Sequence, residues 1–444
     1  MVSLKHIIQV ILALLFVSEL QAQQKLSLRD ALSLALVHNP DLKYSLLEAD
    51  KAAQEKVISR SLFLPTVYAG AQANHYFQLP AFFGFGENAE GGKIPYGRLG
   101  GKDHFAATIT AVQPVYNPLA YPSYQYSLLR QQQSSLGLRS KKIEVLSEIK
   151  DTYLGILVLQ ERIRLTKESI NRNRKVLQDS RMLFLQGKGL RVDTLRAYTS
   201  VKNLEPDLVK LTFAIETGKL TLRSLIGIDS LNEFILTDSL IIPAPENILP
   251  EEMVYEEVIS SNPDFQILKV QTELEKQNAR IASSYRKPSL SLVGQYQVQT
   301  QTNDLEYGNA HYPESSFVGL QLSVPVFTGL SSQARVKHAR LSKDQSDLRV
   351  SSMQEDLRAR VHEAIANNRE AWLRLETTAV VQETAQLSYN IIQYRYQNGI
   401  SPRLELTDAE LALSTAQSNY LEAVYDYLSA RIQLRKLTGV LEKD

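Results

Sequence analysis

The chain has no cysteine, a single tryptophan and only four methionines among its 444 residues. Without cysteine there is no disulfide framework, no thiolate metal site and no thiol for a lipid anchor. An excess of charge is missing as well. Forty-nine Lys and Arg stand against 48 Asp and Glu, a formal charge of +1, so bulk charge calls for neither nucleic acid nor an acidic partner. Catalytic signatures are also lacking. Seven histidines are scattered with no HExxH pair, and there is no GxSxG elbow and no Walker loop. The carboxylates sit among basic residues along helix faces, the pattern of solvated surface. Gly84-Phe85-Gly86 has no βαβ context to make it a phosphate loop. No enzyme, cofactor or metal site is expected.

Apolar runs are short everywhere. The one at Ile7 to Val17, after Lys5 and His6, is too brief to span a bilayer as a helix. With Ser18-Glu19-Leu20-Gln21-Ala22 behind it, residues 1–22 read as a secretory signal cut after Ala22.

What the chain does have is a duplication. Asn39-Pro40-Asp41 and Asn262-Pro263-Asp264 each read as a helix start: an Asn cap, a Pro at the first helical position and an Asp that the dipole favours. Pro65 follows Pro40 by 25 residues, and Pro288 follows Pro263 by the same 25. Two helical hairpins turn at Phe184-Leu185-Gln186-Gly187 and Tyr396-Gln397-Asn398-Gly399, with Ser401 and Pro402 placed to cap and start the final helix. In each copy an acid lies six residues after the glycine, Asp193 and Glu405, and an alanine ten after it, Ala197 and Ala409. Each return helix ends forty residues after its tip, at Leu225-Ile226-Gly227 and Leu437-Thr438-Gly439. The reading is a first repeat over 23–227, a linker over 228–250 with a short strand near Phe234 to Leu236, and a second repeat over 251–444.

Behind each proline breaker the period changes. Thr66 to Phe77 and Ser289 to Thr300 are rich in β-formers, and in the second Leu290, Leu292, Tyr296 and Val298 alternate with serine and glutamine. Partner strands are expected at His104 to Tyr116 and Ser316 to Phe327, joined through long loops at 79–103 and 301–315. Strands of this length with two-residue alternation suit a transmembrane barrel, whose longer loops lie outside the cell. Nearly seventy helical residues then run from Pro118 to Gln186, about 100 Å at 1.5 Å per residue. Val145, Ile149, Thr152, Ile156, Leu159, Ile163, Thr166, Ile170, Asn173 and Leu177 step by four and three, a coiled-coil seam. The second long helix, from Ser331 to Gln397, carries a less regular seam of Val361, Ile365, Trp372, Leu375 and Leu387.

Taken together, the paired NPD starts, strand pairs, very long helices, glycine tips and L-x-G ends resemble the TolC-like outer-membrane efflux proteins over residues 26–441. The resemblance implies a mixed, mainly α fold. Each protomer would give long coiled-coil hairpins to a periplasmic helical barrel and four β-strands to a twelve-stranded transmembrane β-barrel shared by a homotrimer. It implies an outer-membrane duct for efflux or secretion, with outer-membrane lipid around it, an inner-membrane transporter as energy source and a periplasmic adaptor (membrane fusion) protein meeting the tips at Gly187 and Gly399. It also implies a periplasmic gate. Glu405 and Asp408 match the acids ringing the constriction, and Tyr396 matches the tyrosine that reaches the acid of the other hairpin, Asp193. The family arginine two residues after the glycine is Ser401 here, with Arg403 two further on. The rival readings are a soluble periplasmic coiled-coil adaptor or scaffold, which should carry compact β-domains, and a secreted hydrolase, which should carry a catalytic constellation.

A proline in the seam tests helix continuity. Ile156→Pro removes a backbone hydrogen bond and clashes with the preceding turn, at ~3 kcal/mol or more per chain. Native gels should show the assembled form lost, while blots show the chain still exported and processed.

Overall fold

The computed structural model describes residues 24–84, 94, 96–228, 234–245, 250–304 and 307–440. The signal segment 1–22, and Phe85 and Gly86 of the GFG run, lie outside the described residues. Strand β1 (Gln24–Leu26) leads into helix α1 (Leu28–His38), then α2 (Pro40–Ser61), β2 (Thr66–His75), a short ribbon of β3 (Ala81–Phe83) and β4 (Tyr96–Arg98), β5 (Asp103–Tyr116), α3 (Ala120–Leu185) and α4 (Arg191–Ile226). After β6 (Phe234–Leu236) the order recurs: α5 (Glu251–Ser261), α6 (Pro263–Ser284), β7 (Ser289–Thr302), β8 (Glu314–Ser323), α7 (Ser331–Gln397) and α8 (Arg403–Thr438). The long helices have 66 and 67 residues, and both return helices have 36.

The chain divides into two compact units, one over Met1–Glu48, Ser135–Ile267 and Val350–Asp444, the other over Ala49–Ser134 and Leu268–Arg349. In the first unit, two sequence signals that lie far apart in the chain turn out to be one joint. Asn39 caps α2 by accepting from the Leu42 amide at 2.9 Å, and its Nδ2 donates to Leu225 O at 2.6 Å, at the end of α4. Asn262 does the same in the second half, accepting from Phe265 N at 3.1 Å and donating to Leu437 O at 3.2 Å. One amide side chain therefore starts one helix and satisfies an orphan carbonyl of another. Gly227 and Gly439 close those return helices in the left-handed conformation, at φ 79° and 70°.

Leu26, Ala31, Ala35, Ile149, Tyr153, Ile156, Leu222, Ile226 and Phe234 form the first core, and Val254, Val258, Phe265, Leu357 and Val361 its counterpart. The linker is tied to the first core. Strand β6 pairs in parallel with β1, and Asp238 accepts from the Leu28 amide at 2.7 Å and the Tyr153 hydroxyl at 2.8 Å. Burial, with the Asp238 carboxylate adding to it, holds the Tyr153 phenol above its ordinary range. The seam on α3 is buried at Val145, Ile149, Ile156, Ile170 and Leu177. On α7 the expected Leu387 is instead 61% exposed, and Tyr389, two residues on, takes the inward position at 4%.

The second unit carries one antiparallel sheet ordered β2-β5-β7-β8. Its register puts Val67, Ala69, Ala71 and Ala73 in line with Ala111, Ile109, Ala107 and Phe105 of β5. Across β7 and β8 the same face continues with Leu290, Leu292, Tyr296, Leu322, Leu320 and Val318. The opposite face presents Gln72, Thr108, Thr110 and a glutamine ladder, Gln295 to Gln297 at 3.2 Å and Gln297 to Gln299 at 3.1 Å. The first face is largely apolar, with His75, Asp103 and Glu314 at one end. The second is mostly polar, with Tyr68, Val112, Val293 and Phe317 among its amides and hydroxyls and no carboxylate, lysine or arginine. This is the sidedness of a barrel wall in lipid. Among the described residues no helix is long and apolar enough to cross a membrane. Strand β8 ends at Ser323, short of the Val324-Pro325-Val326-Phe327 run, because proline cannot donate to a ladder. In β5 the matching Pro114 stays in the strand, at a register shift.

The two C-terminal glycine caps differ in room. A Cβ on Gly227 would stand 2.5 Å from His38 O, whereas on Gly439 it would stand 3.3 Å from Ser261 O. Both alanines incur about 1–2 kcal/mol of left-handed strain, but only Gly227→Ala adds a backbone clash. Thermal unfolding of the purified protein should show Gly227→Ala the more destabilised of the two.

Candidate functional site

The hairpin tips are built alike. At the first, Gly187 N donates to Phe184 O at 3.0 Å and Lys188 N to Leu183 O at 2.9 Å. At the second, Gly399 N donates to Tyr396 O at 3.0 Å and Ile400 N to Arg395 O at 2.8 Å. This is the Schellman closure, which needs a left-handed residue at the glycine, and φ is 68° and 73° there. The return helices then start without a side-chain cap, after Leu190 and Pro402 in extended backbone. The expected cap at Ser401, with Pro402 inside the helix, is therefore corrected. Pro402 at ψ 157° stands outside α8, and the Ser401 hydroxyl is buried without a partner.

The alanine ten residues after each glycine is a contact position. Ala197 packs with Leu177 and Val201, and Ala409 with Tyr389, Leu406 and Leu413. A small side chain lets the return helix lie close on the long one.

Around this packing the structure brings three of the sequence-derived gate residues together. Arg403, the first residue of α8, is 9% exposed, and its Nε and Nη1 have no hydrogen-bond partner. Burial lowers its basicity, while the Asp193 carboxylate and the Tyr396 phenol act in the opposite direction and Arg196 adds to the lowering. Asp193 and Tyr396 thus lie near enough to Arg403 to act on its charge, though among the described residues neither makes an ion pair or hydrogen bond with it. Among the described residues no hydrogen bond joins Tyr396 to Asp193. Glu405 and Asp408 lie apart, exposed on α8, and Gly187 and Gly399 are exposed at the turns. The tips also present Phe184, Leu185, Leu190, Val192, Ile400 and Leu404 to solvent.

Sequence reasoning missed a second cluster. Glu410 on α8 accepts from Ser169 Oγ at 2.7 Å and from Arg172 Nε and Nη2 at 2.8 and 3.0 Å, both donors on α3. The guanidinium lies 5.6 Å from the centre of the Tyr389 ring on α7. Burial, then the Glu410 carboxylate, raises that phenol above its ordinary value, against the lowering effect of Arg172. A signal for it exists. Glu410 sits four residues after Leu406 and three before Leu413, a charged residue in an apolar stripe. Higher up, Asp151 on α3 accepts from Ser429 at 2.8 Å and from Tyr425 at 3.2 Å, both on α8.

Comparison with known proteins agrees with this architecture. The sequence profile of the outer membrane efflux protein family matches residues 31–228 and 254–440. The alkaline protease secretion protein AprF of Pseudomonas aeruginosa is 21% identical over 426 residues, 94% of this chain and 85% of AprF. The outer membrane protein TolC of Vibrio cholerae is 22% identical over 417 residues, 91% of this chain and 89% of TolC. Among solved structures, the CmeC outer membrane channel of Campylobacter jejuni superposes with a TM-score of 0.77 at 17% identity, covering 93% of this chain and 85% of CmeC. The Vibrio cholerae outer membrane protein VceC gives 0.74 at 16%, covering 93% and 96%.

Proposed function

The chain belongs to the outer membrane efflux protein family, and from that premise we propose that it forms the passive exit duct of an efflux or secretion system. Three copies assemble in the outer membrane, reach into the periplasm and work with a periplasmic adaptor and an inner-membrane transporter. The observation that carries this reading is the four-stranded sheet, apolar on one face and amide-lined on the other, with free edges at β2 and β8. Four strands are too few to close a barrel, whereas three copies supply enough. A soluble adaptor has no use for such a sheet, and that reading finds no support. The duct acts passively, and its energy comes from the transporter. An uncharged polar wall suits hydrophilic cargo of either sign, in keeping with relatives that include a protease secretion protein. Exposed apolar side chains at the tips, Phe184, Leu185, Leu190 and Ile400 among them, offer the adaptor its landing surface.

The gate lies just behind those tips. Arg403, Asp193 and Tyr396 join the hairpins of neighbouring subunits, and Glu405 and Asp408 project into the narrowed lumen. Buried Arg403 lacks a full set of acceptors within its own chain, which leaves it donors to offer across a subunit seam. A hydrogen bond to a charged group contributes only ~1.5–3 kcal/mol, so three such joints hold a resting state that a docked adaptor can overcome.

Two measurements test this function. Detergent-extracted protein should fractionate with the outer membrane and sediment as a trimer; a stable soluble monomer would sink the proposal. In planar bilayers, Tyr396→Phe with Asp193→Ala should raise conductance. Glu405→Ala with Asp408→Ala should weaken cation preference without closing the pore. If both doubles conduct and select like the parent, the constriction lies elsewhere.

A further inference from the structure

The Arg172–Glu410 cluster lies outside the gate set described above, yet it shares a helix with the gate's acids. Glu410 follows Glu405 by five residues and Asp408 by two. Glu410 points inward from α8, 8% exposed, whereas Glu405 and Asp408 are exposed. A side chain held on one face of a helix fixes the rotation of that helix, and with it the direction of residues on the other face. The hold is a strong one by its geometry. The guanidinium meets the carboxylate through two nitrogens, Ser169 donates to Oε1, and Tyr389 stacks beneath the guanidinium.

The duplication shows that this hold is not a general feature of the hairpins. Gly187 and Gly399 set a shift of 212 residues between the halves. At that shift Arg172 becomes Thr384, Ser169 becomes Val381, Glu410 becomes Tyr198 and Tyr389 becomes Leu177. None of the four can form an ion pair. Val381 and Tyr198 are about half exposed, at 50% and 47%. Each chain therefore fastens its first hairpin to its second through the buried Arg172–Glu410 pair, and the positions equivalent to it in the other seam hold no charge.

We propose that Arg172, Ser169 and Glu410 are positioning residues for the gate: they set the rotation of α8 against α3, so that Glu405 and Asp408 face the lumen. This rests on the gate reading above. A buried pair suits the task because the alternatives are poor. Any rotation of α8 that turns Glu405 and Asp408 away must also separate Glu410 from Arg172, leaving two buried charges without partners. The apolar contacts of Leu406 and Leu413 on either side would tolerate a slip that the ion pair does not.

The test reads ion selectivity, which a purely structural role would leave alone. Arg172→Glu and Glu410→Arg are each reconstituted as the full-length trimer in planar bilayers under a salt gradient. Each single variant should lose cation preference, though Glu405 and Asp408 are untouched, and should show a spread of conductance levels. The double swap, Arg172→Glu with Glu410→Arg, should restore both toward the parent. Should a charge reversal prevent assembly, Glu410→Gln keeps the size and is expected to show the same loss in milder form. Parent-like selectivity in assembled single variants overturns the proposal, as does a double swap that behaves like the singles. If Glu405→Ala with Asp408→Ala leaves selectivity unchanged, it is the gate reading that fails. The positioning role is then judged on conductance: a spread in the singles that the swap reverses supports it, and parent-like conductance in the singles overturns it.

Discussion

A helix of 66 residues offers more surface than a return helix of 36 can cover, and most of the molecule follows from that mismatch. Each long helix needs neighbours beyond its own hairpin partner. The chain supplies one such neighbour by repeating itself, and the subunits of the assembly supply the rest. The exposed apolar residues along α7, Leu373, Val380, Leu387, Ile391 and Tyr394, step by seven, seven, four and three. That is a second seam awaiting a partner. An isolated chain is consequently an incomplete object, and burial within it understates the burial in the working protein.

The duplication answers the mismatch and also introduces a difference. The halves share their scaffold: the Asn joint, the left-handed closures and the alanine contacts behind the tips all occur twice. They diverge where charge is concerned. Arg403 and Glu405 have the counterparts Arg191 and Asp193, but Asp408 and Glu410 correspond to Arg196 and Tyr198. The common elements are those that any hairpin of this kind requires. The departures include Asp408 of the proposed gate and the Arg172–Glu410 pair.

Much of the scaffold is legible in the sequence, because its signals are backbone signals. Glycine at a left-handed closure, proline ahead of a strand and asparagine before proline each restrict the chain locally, and each marks its own position. Long-range pairings are not legible. Nothing in Asn39 announces Leu225, 186 residues away, and nothing in Ser169 announces Glu410, 241 residues on. Ser401 misleads because a serine before a proline is a good cap in general, whereas here its hydroxyl is buried without a partner. Leu387 misleads because two inward faces are possible on a helix packed from several sides. The helix turns Tyr389 inward instead, with its ring beside Arg172.

The sheet's outer strands, β2 and β8, are both ten residues long, while the inner pair, β5 and β7, have fourteen each. Equal edges can meet rung for rung in a neighbouring copy, with no unpaired overhang left in lipid. Before they meet, every newly exported chain carries two rows of free amides and carbonyls beside an apolar face, the most adhesive surface a polypeptide can present. Insertion and subunit pairing must therefore be a single event, since a lone chain can neither enter the bilayer nor remain safely in water. Once the ring is shut, a subunit can leave only by tearing two ladders at once, so exchange between finished ducts is blocked. The supply of working channels is set by synthesis rather than by equilibrium among parts.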